Sequence, residues 1–168
     1  MERASRNDGK IFERRISMAN DMPNSGFCSL IVRGDNLDLD LIEKTLNLEA
    51  SDKWRKGEII NDIVGEMEDN FIRFNEKPDG KYNPNKTLQS LINRLMNNKS
   101  FLEDLNKKAY ICLVCYIQSD YAMIGYTLSV ETLNMIVQLG VDLDISILSW
   151  GGVKDDRKKK KKRRKNKS

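Results

Sequence analysis

Two periodicities alternate along this chain, one of about two residues and one of about 3.6, and each change of period marks a predicted element. The first is Gly26-Phe27-Cys28-Ser29-Leu30-Ile31-Val32, a run of β-formers that ends at Gly34-Asp35, so a strand closing in a turn is expected over 25–33. Asp38 then precedes Leu39, Ile42 and Leu46 at helical spacing, with Asp40 in the first turn, where the helix dipole favours an anion. That is a capped helix leaving near Leu48. Lys53-Trp54-Arg55-Lys56-Gly57 reads as a loop into a short strand at Glu58-Ile59-Ile60, and another strand is expected over 70–75. Lys77-Pro78-Asp79-Gly80 is a turn, since Pro presets the backbone and Gly closes it.

Beyond that turn the helical period is strongest. Asn85, following Pro84, is the expected cap of a helix whose Leu88, Leu91, Ile92, Leu95 and Met96 fill one face, and Ser100 with Glu103 has the spacing of a capping box for a further turn or two. Tyr110 to Ile117 is apolar almost without a break, as in a strand covered on both faces near the middle of a sheet. Ser129 is expected to cap a third helix that turns Val130, Leu133, Ile136 and Val137 inward and stops at Gly140. The last strand alternates, with Val141, Leu143, Ile145 and Ile147 on a buried side and Asp142, Asp144 and Ser146 on a wet one. The order β-α-β-β-α-β-α-β, with one strand buried on both faces, predicts an α+β fold: a mainly antiparallel twisted sheet with two to three helices packed on one face.

Length and charge divide the chain further. Its 168 residues suit one domain, assigned to 18–153. Residues 1–17 have no folding period and end in Glu13-Arg14-Arg15-Ile16-Ser17-Met18, which fits purine-rich codons of a ribosome-binding site; they are read as a disordered extension or a translated leader before a start at Met18. The net charge of +4 averages over unlike parts. Residues 154–168 carry 11 Lys+Arg against 2 Asp+Glu, whereas 18–153 carry 13 against 20, so an acidic body of −7 is joined to a basic tail of +9. With no apolar partner that tail is expected to be disordered, and Lys158, Lys159, Lys160, Lys161, Lys162, Arg163, Arg164 and Lys165 are its candidate polyanion-binding residues.

Several chemistries are excluded by the residue types themselves. There is no histidine, which removes His-based triads and His metal sites. Three cysteines, each in an apolar run, are too few for a disulfide framework and fit a reducing, cytoplasmic compartment. No apolar stretch approaches the ~20 residues of a membrane span, and no signal-peptide core is present. Cys112 and Cys115 have C-x-x-C spacing, but three residues along a strand point to opposite faces, so they read as core rather than as a redox or zinc pair. Asp35, Asp38 and Asp40 lack the alternation of a calcium loop and read as turn and cap residues. No catalytic residue, metal or cofactor is expected.

The candidate partner or ligand surface is therefore made of two patches. Lys53, Trp54 and Lys56 combine cations with an aromatic, as single-strand nucleic-acid binders do, and Trp54 would form a groove wall. Asp142 and Asp144 share one face of a strand about 7 Å apart.

Together Gly34-Asp35-x-Leu37-Asp38, Lys53-Trp54-x-Lys56-Gly57, the amphipathic helix from Lys86 and Leu139-Gly140-Val141-Asp142-Leu143-Asp144-Ile145 resemble the bacterial family known as domain of unknown function 4279, over about residues 25–150. The resemblance implies a small bacterial intracellular protein and supplies no catalytic residues. The expectation is a non-enzymatic cytoplasmic binding protein of immunity type, whose acidic body neutralises a basic protein partner. The alternative is a nucleic-acid-associated accessory protein that uses its basic tail.

Overall fold

The computed structural model describes residues 24–63, 65–119 and 125–149. Residues 24–118 and 126–147 form one compact unit; Ser119, Gly125, Leu148 and Ser149 fall outside it. The expected start at Met18 and the basic tail lie outside the described residues.

Seven strands and four helices follow one another among the described residues: β1 (Asn24–Gly34), α1 (Leu39–Leu46), β2 (Asp52–Trp54), β3 (Ile59–Asn61), β4 (Gly65–Glu66), β5 (Asn70–Glu76), α2 (Pro84–Met96), α3 (Lys99–Asn106), β6 (Tyr110–Ser119), α4 (Val130–Leu139) and β7 (Asp142–Ser149). Five strands make the main sheet in the order β2-β5-β1-β6-β7, and β3 with β4 forms a separate hairpin. β5 is antiparallel to both β1 and β2, with Leu30 opposite Phe74 and Trp54 opposite Phe71. β6 is antiparallel to β1, because Ser25 meets Gln118, Phe27 stacks on Tyr116 and Cys28 meets Cys115. α4 carries the chain from β6 back to a parallel β7, a connection too long for a hairpin. Tyr110 at the start of β6 accordingly feels the charges of Asp142 and Asp144 at the start of β7. The sheet is therefore mostly antiparallel with one parallel pair, and the fold is α+β as expected.

Local chemistry fixes the helix ends. Asp38 accepts from the Leu41 N–H at 2.9 Å, and Asn47 stops α1 in the left-handed region at φ 52°. Ser129 caps α4, and Gly140 ends it at φ 73°, donating its N–H to the Ile136 and Val137 carbonyls. The long helix begins one step earlier than Asn85 would put it. Asn83 is the cap, accepting from the Lys86 N–H at 3.2 Å, and Pro84 takes the first helical position, where its missing N–H costs nothing. α3 starts at Lys99 after Asn98 without a side-chain cap, so Ser100 and Glu103 form no capping box; Glu103 instead pairs with Lys99.

Strand alternation builds the core. Cys28, Leu30 and Val32 of β1 share a fully buried face with Ile72 and Phe74 of β5, and Leu88, Leu91, Ile92 and Leu95 of α2 are buried with them. α2 lies against β1 and β5, α1 against β5 and α4 against α2. On the other face of β1 and β5, Ile31, Phe71, Arg73 and Asn75 keep partial contact with water and Arg33 is exposed. β6 is an interior strand between β1 and β7, buried on both faces from Ile111 to Cys115 as expected.

Two expected inward faces are only partly inward. In α4 the buried residues are Thr132, Ile136 and Leu139, while Val130, Leu133 and Val137 are exposed. Into β7 burial fades, from Val141 just before the strand at 9% to Ile145 at 40% and Ile147 at 49% exposed. Among the described residues no helix is long and apolar enough to cross a membrane.

Candidate functional site

The first predicted patch sits on the β2 edge. β2 is three residues long, and Arg73 of β5 holds its Asp52 through Nε at 2.7 Å and through a second, Nη2 contact. Its neighbours bring acid to every nearby cation. Lys53 Nζ donates to Glu43 Oε2 at 2.6 Å and to Asp40 Oδ1 at 2.9 Å, both carboxylates projected from α1. Arg55 Nη2 donates to the other oxygen of Asp40 at 2.8 Å, and Lys56 Nζ to Asp35 Oδ1 at 2.5 Å. Asn70 ties the loop down by accepting from the Lys56 N–H and donating to the Asp35 carbonyl.

These hydrogen bonds set the titration of the group. Donation to Glu43, then to Asp40, holds the Lys53 ammonium above its ordinary pKa, and Asp35 does the same for Lys56. Conversely, Lys53 holds both Asp40 and Glu43 below the usual carboxylate range. Charge in this patch is matched internally. Trp54 is half-buried opposite Phe71, so it belongs to the edge of the sheet as much as to its surface.

The second patch lies at the opposite edge. Asp142 and Asp144 open β7, both exposed, and the sheet order puts four strand spacings, about 19 Å, between them and Trp54. The structure does not bring the two predicted patches into one site. β7 itself is an eight-residue strand at the end of the sheet, with carboxylates on one face and the half-exposed Ile145 and Ile147 on the other.

A third cluster escapes sequence reasoning. Cys28 Sγ and Cys115 Sγ lie 3.5 Å apart in the core, with Tyr82 Oη 3.7 Å from Cys28. The hydrogen bond with Cys115 lowers the Cys28 pKa, whereas the same hydrogen bond and burial raise that of Cys115. Burial pushes Tyr82 up and takes Tyr126 to about 12, and the Tyr126 hydroxyl has no hydrogen-bond partner among the described residues. Cys112 faces away from the pair, its thiol donating to the Leu113 carbonyl at 3.2 Å.

A family model, domain of unknown function 4279, matches residues 24–150. The chain belongs to the DUF4279 family. In this DUF4279 domain the matched span covers all eleven elements and both predicted patches. No curated protein and no solved structure matches the chain. The segments that carry the resemblance have structural work to do here: Gly34 closes β1, Lys53 and Lys56 bind α1 and the first turn to the β2 edge, and Gly140 stops α4.

Proposed function

We propose that this DUF4279 domain is a cytoplasmic, immunity-type binding protein that takes an extended basic segment of a partner protein on the outer edge of β7. The reading rests on one observation: an eight-residue edge strand presents Ile145 and Ile147 on one face and Asp142 and Asp144 on the other. A strand added to that edge would gain main-chain hydrogen bonds, and alternating apolar and Lys/Arg side chains would meet both faces. The −7 charge of residues 18–153 favours encounter with a basic partner and disfavours an acidic one.

The test uses two synthetic peptides of equal length, one alternating Val with Lys and one alternating Val with Glu, titrated into the isotope-labelled full chain and followed by backbone NMR. Binding of the Lys peptide with shifts concentrated on β7, and its loss in an Asp142→Lys, Asp144→Lys variant, supports the proposal. Equal binding of both peptides, or shifts centred on Trp54, overturns it.

A second reading has its own support. Lys53, Arg55 and Lys56 are each engaged by a carboxylate, and the densest run of basic residues in the sequence is at 158–165. We propose that any binding to nucleic acid runs through that segment and falls steeply with salt.

A further inference from the structure

We propose that Cys28 and Cys115 are a redox modification site, a thiol pair that a small hydroperoxide converts to a disulfide linking β1 to β6. The pair is set by the antiparallel register, which places the two residues directly opposite each other with their sulfurs 3.5 Å apart. Opposed residues of antiparallel strands have Cα separations of about 4.5–5.5 Å, within the range that disulfides bridge, so the S–S bond of about 2.05 Å is reached by side-chain rotation rather than by moving strands. Neither thiol belongs to the β7 edge, and the inference stands apart from the proposed peptide docking.

The two sulfurs have different roles. Cys28 Sγ has Cys115 Sγ at 3.5 Å and Tyr82 Oη at 3.7 Å, and with both acting as donors its thiolate is favoured against the opposing effect of burial, which makes Cys28 the nucleophile. Its sulfur attacks the nearer peroxide oxygen and the O–O bond breaks. The departing alkoxide or hydroxide takes the proton that Cys28 gave up, leaving a sulfenic acid. Cys115 then attacks that sulfur; the S–O bond breaks, and hydroxide leaves as water with the Cys115 proton. The peroxide gains two electrons and the two thiols lose two, so the step is balanced. Both residues are fully buried, which restricts the oxidant to a small molecule entering through local opening of the domain. Cys112 is spared by facing away from the pair.

The experiment treats the full chain with hydrogen peroxide, then denatures it, blocks remaining thiols with iodoacetamide and reads intact mass and peptide map. The expected product is a monomer lighter by two hydrogens before alkylation. It carries one alkyl group, on Cys112, and a Cys28–Cys115 linked peptide that dithiothreitol separates. Cys112→Ser should retain the link, and Cys115→Ser should abolish it and leave a sulfenic acid on Cys28 that dimedone traps. The proposal is overturned if Cys112 is blocked as readily as the other two, or if Cys28 advances to sulfinic acid while Cys115 remains alkylated. It is equally overturned if peroxide that oxidises the urea-unfolded chain leaves the folded chain unchanged. Should Cys115→Ser fail to fold, the peptide map of the unaltered chain decides alone.

Discussion

Asn85 offers the sharpest test of how the helices are held together, because its role differs from the one its position suggests. Its Nδ2 donates to the Thr127 carbonyl at 2.6 Å, and its Oδ1 accepts from the Ser129 N–H and the Thr132 hydroxyl, each at 2.8 Å. One side chain from the first turn of α2 thus fixes the cap of α4, two elements more than forty residues apart. Asn85→Ala removes all three bonds. Each is worth about 1 kcal/mol net, and a donor left unpaired in a partly buried place costs about 1–3 kcal/mol. Thr132 keeps Ser129 and Gln89 as partners, and the Thr127 carbonyl lies in an exposed residue, so the loss falls mainly on the Ser129 amide. The expected cost is about 2–3 kcal/mol, or about 6–12 °C in melting temperature for a domain of this size. Asn83→Ala, which removes a single cap bond of 3.2 Å at an exposed position, should cost about 1 kcal/mol or less. Urea unfolding of both variants, with the slope checked for constancy, gives the comparison. If Asn83→Ala proved the costlier substitution, Asn85 would not be the bridge between α2 and α4.

Gly26→Ala should destabilise by about 3 kcal/mol or more, because its Cβ would stand 2.0 Å from the Tyr116 carbonyl of β6 and 2.7 Å from the Tyr82 ring; urea unfolding reads the shift. Asp40 and Glu43 have lowered pKa values in the folded chain, so their contribution is present above the ordinary carboxylate pKa and is lost as pH falls through the folded values. Lys53 and Lys56 have raised values, so theirs is present below about pH 10 and is lost as pH rises through the folded values. The urea midpoint should therefore fall at both extremes, by small amounts that 1 M salt suppresses, and Lys53→Met should flatten both limbs. Deleting residues 154–168 should abolish binding to a DNA duplex while leaving the melting temperature unchanged, measured by salt-dependent titration and calorimetry on the two chains. DNA binding retained by the shortened chain would move that activity to the folded body.

What could be read from the sequence was local. Asp38, Ser129 and Gly140 announce helix ends because capping depends on neighbours in the chain, and the spacing of Leu88, Leu91, Ile92 and Leu95 announces a buried stripe for the same reason. Asn83 was also legible, since Pro prefers the first helical position and the cap must then precede it. Long-range partners were not. Alternation in β7 separates Ile145 and Ile147 from Asp142 and Asp144, but it does not say whether a further element covers the apolar side. Charge along Lys53-Trp54-Arg55-Lys56 suggests a basic patch, and only the folded chain brings Asp35, Asp40 and Glu43 against it. The meeting of Cys28 with Cys115 depends on a strand register that joins residues 87 apart in the chain, while the nearby Cys112 draws the eye through a spacing that a strand cannot use.

The two ends of the main sheet differ in a way that bears on assembly. Among the described residues β2, at one end, is only three residues long, with Asp52 and Lys53 held in ion pairs with β5 and α1; β7, at the other, is eight residues long. A sheet with two receptive ends can add copies indefinitely and grow into a filament. With one long end that carries Asp142 and Asp144, a second copy would bring like charge to the same edge, whereas a basic strand seated there uses the edge up and growth stops at one added strand. Concentrating this domain should therefore yield no fibres, and a basic strand bound to β7 should leave no long edge for a further chain.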